Sequence, residues 1–254
     1  MSASTLDHLR ELLAQCSPEE QAVIFRELRE RFGIHPYEQA VGASAEMILE
    51  AVHRAPELTR RMLRGVIADA AFGAHVVDRL KGAGWRDATP EGNHAYDYRL
   101  ENDDGPITVH VKLQRSGRGA PVVKDGSRYG LDGNVYVVET QRTRSGSDGD
   151  AKSTRPYRFG EFDVLAVSLQ PSTGTWEQFM YTVATWLLPG KRPGEIATLQ
   201  PLTQGRSEFW TDDFAEVATW YRSLQDGRRM PDRSARQRAA KLGKSATATK
   251  RRAR

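Results

Sequence analysis

Apolar positions recur every three or four residues through the first eighty residues of the chain. Leu6, Leu9, Leu12 and Leu13 fall on one side of a helix capped by Ser4 or Thr5. The stretch SPEEQAVIFRELRERFG opens with Ser17, has Pro18 in the first turn and Glu20 three residues after the serine, and closes at Gly33. That order predicts a helix begun by a capping box. A third helix is expected over Ala43–Ala55, and a fourth from about Pro56 to Gly82, broken near Gly65 or Gly73, with Leu63, Val66, Ile67, Ala70, Ala74, Val77 and Leu80 as its buried stripe.

Past Trp85 the period shortens to two. Strands are expected over Tyr96–Glu101, Ile107–Leu113, Val135–Thr140 and Phe162–Leu169. FDVLAVSL is almost wholly apolar, as a strand covered on both faces would be. TWEQFMYTVATWLLPG reads as a helix with Phe179, Val183, Trp186 and Leu187 inward, and WTDDFAEVATWYRSLQDG as another, capped by Thr211 or Asp212. The tryptophans at 176, 186, 210 and 220 read as core. The fold class expected is α/β, with a mixed central sheet flanked by helices and an N-terminal helical region. The domains expected are a helical region over 1–60, a core over 61–227 and a basic, disordered tail over 228–254.

Charge sharpens that last division. The formal net charge is +4, but the final segment from Arg228 holds eleven basic residues against one acid, Asp232, so the rest of the chain is net negative. Such a tail suits a polyphosphate or anionic surface, or serves only as a solubilising extension. No apolar run has the length of a membrane span. The single cysteine, Cys16, can form neither an internal disulfide nor a zinc cage, and MSASTLDHLRELLAQ lacks the basic start and apolar core of a secretion signal. A cytoplasmic protein is expected.

The candidate chemistry lies in DYRLENDDGPITVHVKLQRS. Asp103, Asp104, Gly105 and Pro106 make a turn between two strands. Thr108, His110 and Lys112 share one side of the second strand, and Asp97 stands where the first begins. Pairing would bring Asp97 to His110 or to Lys112. A carboxylate is a hard ligand for Mg²⁺, and a lysine beside it can hold a phosphate oxygen or steady a transition state. The alternative is a solvated hairpin face with an incidental Asp–Lys pair.

The order helix, strand with Asp, turn, strand with x-Lys resembles the PD-(D/E)XK nuclease superfamily, and especially its type II restriction endonucleases. The likeness runs from about Arg61 to Leu188. It implies a restriction-endonuclease-like core, with Asp97 as first carboxylate and metal ligand and Lys112 as the catalytic lysine. Asp69 matches the helix acid that many members add. The chain departs from the pattern in having His110 where an acid is expected and Tyr96 where Pro precedes the Asp. His110 then becomes a candidate for positioning water, accepting a proton or holding the scissile phosphate, or a plain structural histidine. Glu139 is a candidate second metal ligand, or an acid that only organises the sheet by pairing with Arg142 or Arg158.

What the resemblance implies is a Mg²⁺-dependent endonuclease of the type II restriction kind, with Mn²⁺ as a possible substitute. It would cut double-stranded DNA at a specific sequence as a homodimer, paired functionally with a DNA methyltransferase. A repair or recombination nuclease, or a catalytically inactive DNA-binding module of the same fold, stand as alternatives. The loops after the candidate strands are rich in glycine and basic residues. Gln114, Arg115, Arg118, Lys124, Arg128, Gln141, Arg142, Arg144, Arg155 and Arg158 are expected to meet DNA, some at bases and others at phosphates. Asp163, between apolar neighbours, is expected to be a structural acid paired with an arginine just before it.

Overall fold

A computed structural model describes residues 4–32, 35–117, 119–142, 156–223 and 228–230, and divides the chain into two compact units, 1–61 and 62–254. The first unit holds α1 (Thr5–Gln15), α2 (Pro18–Arg31), α3 (Pro36–Val41) and α4 (Ala45–Arg54). Ser17 and Glu20 form the reciprocal cap that the sequence predicts for α2, and Ser4 and Ser44 cap α1 and α4. Among its described residues, none is buried. Helix α5 (Glu57–Phe72) spans the boundary and runs through a π-helical turn, Gly73–Val77, into α6 (Asp78–Lys81).

The second unit is α/β. Its strands are β1 (Arg86–Asp87), β2 (Tyr98–Asn102), β3 (Gly105–Leu113), β4 (Ser116–Gly117), β5 (Ala120–Pro121), β6 (Val123–Asp125), β7 (Asn134–Glu139), β8 (Val164–Ser168), β9 (Phe179–Val183) and β10 (Leu199–Thr203). Two helices accompany them, α7 (Gln170–Thr173) and α8 (Phe214–Arg222). A mixed five-stranded sheet runs β1-β2-β3-β8-β9, with β3 and β8 parallel and every other pair antiparallel. A second sheet runs β10-β7-β6.

All five residues of β8 are buried, as its apolar run predicts. The segment expected to be a helix around Phe179 is instead β9, followed by one 3-10 turn. All five residues of β9 are buried too, so both faces of the strand are covered and no period separates an inside from an outside. Its Phe, Tyr, Thr and Val favour the pleated backbone.

Two contacts fix β3. The Asp163 carboxylate, just before β8, accepts from the Thr108 amide at 2.8 Å and hydroxyl at 2.7 Å, while the Asp163 amide donates to the Thr108 carbonyl at 3.0 Å. Asp163 therefore registers two parallel strands, where an arginine partner was expected. Toward the same end of β3, Arg222 of α8 donates to Asn102 Oδ1 at 2.6 Å and the Gly105 carbonyl at 2.9 Å, with its guanidinium 5.0 Å from the Trp85 ring centre. The β2–β3 turn is thereby tied to α8.

Past its end β3 touches the second sheet. Gln114 bridges to Val138, and the Arg115 amide donates to the Val137 carbonyl at 2.8 Å. This crossing brings the end of β7, with Glu139, toward the Lys112 side of β3. Helix α5 packs on the main sheet through Phe72, whose ring lies 5.0 Å from Tyr98 and 5.4 Å from Phe179, centre to centre.

Candidate active site

Register decides which residue Asp97 meets. Tyr98 pairs with Val109, and the Asp97 amide donates to the Val109 carbonyl at 2.9 Å, so Asp97 stands opposite His110. Asp97 Oδ2 accepts from the Val111 amide at 2.6 Å and lies 2.8 Å from His110 Nδ1. The ring nitrogen is close but poorly aligned, for no well-directed hydrogen bond joins it to the oxygen. Burial would raise the Asp97 carboxyl pKa, but His110, the Val111 amide and Lys112 outweigh it and hold the carboxyl below its usual range.

His110 itself is 4% exposed and wedged between Tyr157 and Phe162, with ring centres at 4.5 and 5.1 Å. Burial, then the charge of Lys112, pushes its pKa down against the pull of Asp97. A neutral, enclosed imidazole, neither of whose ring nitrogens has a well-directed partner among the described residues, fills the core beside Asp97.

Lys112 follows two residues later on the same face of β3. Its ammonium lies 5.3 Å from the Tyr157 ring centre. Burial pushes its pKa down, and three carboxylates pull it back: Asp97, Glu139 and Asp69, in falling order. Lys112 forms no direct ion pair with any of them, so a half-buried amine stands within the field of three acids with its donors uncommitted among the described residues.

Asp69 joins this cluster from α5, four residues before a local break in the helix. The Tyr98 hydroxyl donates to the Asp69 carbonyl at 2.9 Å and takes up the Gly73 amide. A hydroxyl has thus replaced the usual bond between residues 69 and 73, and the π-helical turn starts at that point. Glycine is needed there, since a Cβ at position 73 would meet the Tyr98 oxygen at 2.9 Å. Burial, then the Asp97 charge, raises the Asp69 carboxyl to about 6 against the opposing effects of Tyr98 and Lys112. Its Oδ1 is buried with no partner. Tyr98→Phe leaves a helix amide and carbonyl without their bridge, and an expected loss of about 1–3 kcal/mol is measurable by urea unfolding.

Glu139 is already engaged. Its carboxylate accepts from the Gln141 amide and lies 3.7 Å from Arg115, rather than beside the arginines at 142 or 158. Arg142 donates to Glu161 at 2.8 Å and sits over the Tyr157 ring. Among the described residues, no group of three or more acids, histidines or cysteines is already gathered as a metal cage. The acids that come together are Asp69 and Asp97, and the orphaned Asp69 oxygen is the feature that a divalent cation would satisfy.

The residues expected to meet DNA divide four ways, and Gln141 and Arg142, half-buried and bonded to Glu139 and Glu161, form one group. Arg115, Lys124, Arg128 and Arg158 are exposed. Gln114 is 1% exposed, on the face it shares with His110 and Lys112, and both of its amide atoms are buried without partners. It therefore faces the interior rather than solvent. Arg118, Arg144 and Arg155, with most of the basic tail, lie outside the described residues. Sequence reasoning missed Tyr98 and Tyr157. Tyr157 has its hydroxyl pushed up to about 12 by burial and packs between Lys112 and His110. No helix among the described residues is long and apolar enough to cross a membrane.

No protein-family model and no curated protein matches the chain. Among solved structures it is similar to "a bacterial homing endonuclease: I-Ssp6803I", at 23% identity over 65% of this chain and 94% of that one, with a TM-score of 0.35. A likeness of that size carries no conclusion about activity.

Proposed function

We propose that the second unit is a divalent-metal-dependent nuclease acting on double-stranded DNA, with its centre at Asp69, Asp97 and Lys112. The observation that carries this reading is the half-buried Lys112 amine, set without an ion pair among three carboxylates. Structural ion networks commonly pair such groups directly; a site that must receive a charged substrate leaves them unspent. Asp69 and Asp97 would hold Mg²⁺ or Mn²⁺, with Glu139 as a more distant acid. The metal would supply Lewis-acid activation of a phosphate oxygen and of water. Lys112 would hold a non-bridging phosphate oxygen and offset its growing negative charge. The Val111 amide would fix Asp97 by its Oδ2, with His110 close beside that oxygen, leaving Oδ1 for the cation.

The finer reading is a type II restriction endonuclease with a restriction-endonuclease-like core: a homodimer cutting both strands at a short sequence, accompanied by a methyltransferase. The exposed Arg115, Lys124, Arg128 and Arg158 would supply phosphate and base contacts. A second reading, an inactive DNA-binding module, draws on the histidine at the acid position and its place beside Asp97. Incubating supercoiled plasmid and phage DNA with the purified chain and Mg²⁺ or Mn²⁺ separates the readings. Discrete fragments support restriction, and nicking or structure-dependent cutting supports a repair nuclease. DNA retardation without cleavage leaves the binding module.

Metal-free stability should also depend on pH. A carboxyl raised to about 6 in the folded chain, from 3.8 when unfolded, favours folding below pH 4 and loses that contribution as pH rises through 6. Wild type should therefore lose stability against Asp69→Asn between pH 4 and 6.5. A difference of about 1 kcal/mol is expected for this incompletely buried group. Urea titrations check it, and added Mg²⁺ at pH 7 should restore wild type alone.

A further inference from the structure

The N-terminal unit has four amphipathic helices and, among its described residues, no buried side chain. Apart from Met62, Val66, Ile67 and Val123, every exposed large apolar side chain among the described residues lies in this unit. Phe32 is 67% exposed, Leu49 66% and Met47 65%. A groove of about 480 Å³ between α3, α4 and the start of α5 is lined by Tyr37, Val41, Met47, Ile48 and Val52. Helices with these faces open have little to hold them folded, since most helical stability in proteins comes from packing.

Among the described residues, nothing else offers a matching surface. The second unit exposes few large apolar side chains, and three of those four lie on the adjoining α5. The two long segments outside the described residues are no better suited: residues 143–155 contain no large apolar residue, and residues 231–254 contain only Leu242, while the shorter ones add only Met1, Ile34 and Leu224. The surface that does match is this unit's own. About a dozen half-exposed apolar side chains offer on the order of 1,000 Å² per copy, enough for a stable interface at roughly 800 Å² per partner.

We infer that the N-terminal unit is a self-association surface, on which α1–α4 of one copy pack their apolar faces against the same faces of a second copy. A two-fold arrangement buries the same patch twice and closes the assembly at two chains. The inference specifies the surface of the homodimer that the nuclease reading expects, but it rests on the apolar faces and not on any activity.

The test is sedimentation velocity of the full chain without DNA, over a concentration series of about two decades around micromolar. Wild type should sediment as a dimer. Leu9→Glu combined with Leu49→Glu should weaken association by about 100-fold or more, and Leu49→Ala by a smaller, measurable factor. All five tryptophans lie at or beyond Trp85, so their emission reports the second unit and should be unchanged in both variants. A wild type that stays monomeric, one that grows without limit, or a dimer indifferent to Leu49→Ala overturns the inference. The DNA cleavage assay stands apart, so either idea can fail alone.

Discussion

Lys112→Met should lower DNA cleavage by about 10²–10³-fold, the scale seen when one pre-placed donor to a developing oxyanion is removed. Methionine keeps an unbranched apolar stem of similar size and removes the ammonium, with its contact to the Tyr157 ring. The folded chain no longer has to bury an ammonium, and the urea midpoint should hold or rise. DNA retardation should stay within a few-fold of wild type, because the exposed arginines are untouched. Single-turnover cleavage and gel retardation on the same preparations check both halves. Cleavage undiminished by the substitution would remove Lys112, and with it the proposed centre.

The second large effect is on stability. Phe72→Ala should cost about 3–5 kcal/mol, most of the margin of an ordinary domain. Phe72 is fully buried and meets Tyr98, Phe179 and Tyr181, so one ring joins α5 to both β2 and β9. Phe72→Leu keeps most of the volume and should cost about 1.5 kcal/mol or less. Denaturant unfolding followed by tryptophan emission measures both, since every tryptophan is in the affected unit. The residual folded fraction of the alanine variant should cut poorly, because Asp69 is held to the sheet by the same helix.

What could be read from the chain beforehand depended on how local the signal was. The β2–β3 hairpin was legible because its turn residues and two-residue alternation lie within twenty positions. The Ser17 cap was equally local. Segment β9 was misread because a strand covered on both faces has no period, and its spacing of Phe179, Val183 and Trp186 mimicked a helix. Strand β10 escaped notice because Gln200 and Pro201 interrupt its apolar run; Gln200 is buried and satisfied by Leu188 and Ala197, far from obvious in sequence.

The same rule governs the site. Asp97 and Lys112 sit in one hairpin and announce themselves, although only the register could show that Asp97 meets His110. The raised carboxyl of Asp69 depends on burial and on Asp97, twenty-eight positions away, and the break beside it on Tyr98, which enters the helix from β2. Glu139 was noticed as an acid, but its partners Gln141 and Arg115 were set by the crossing of β3 onto the second sheet.

The π-helical turn makes helix length itself a constraint. A regular helix with Ala68 and Phe72 inward would next present residue 75 or 76 and then 79; here Val76 and Val77 are the buried pair. The turn therefore accommodates one surplus residue, and Tyr98 occupies the opening that the surplus creates. Deleting a residue between Gly73 and Val77 would close the spiral and evict that phenol. Lineages of this chain should accordingly gain or lose the extra residue, the glycine and the tyrosine together rather than one at a time.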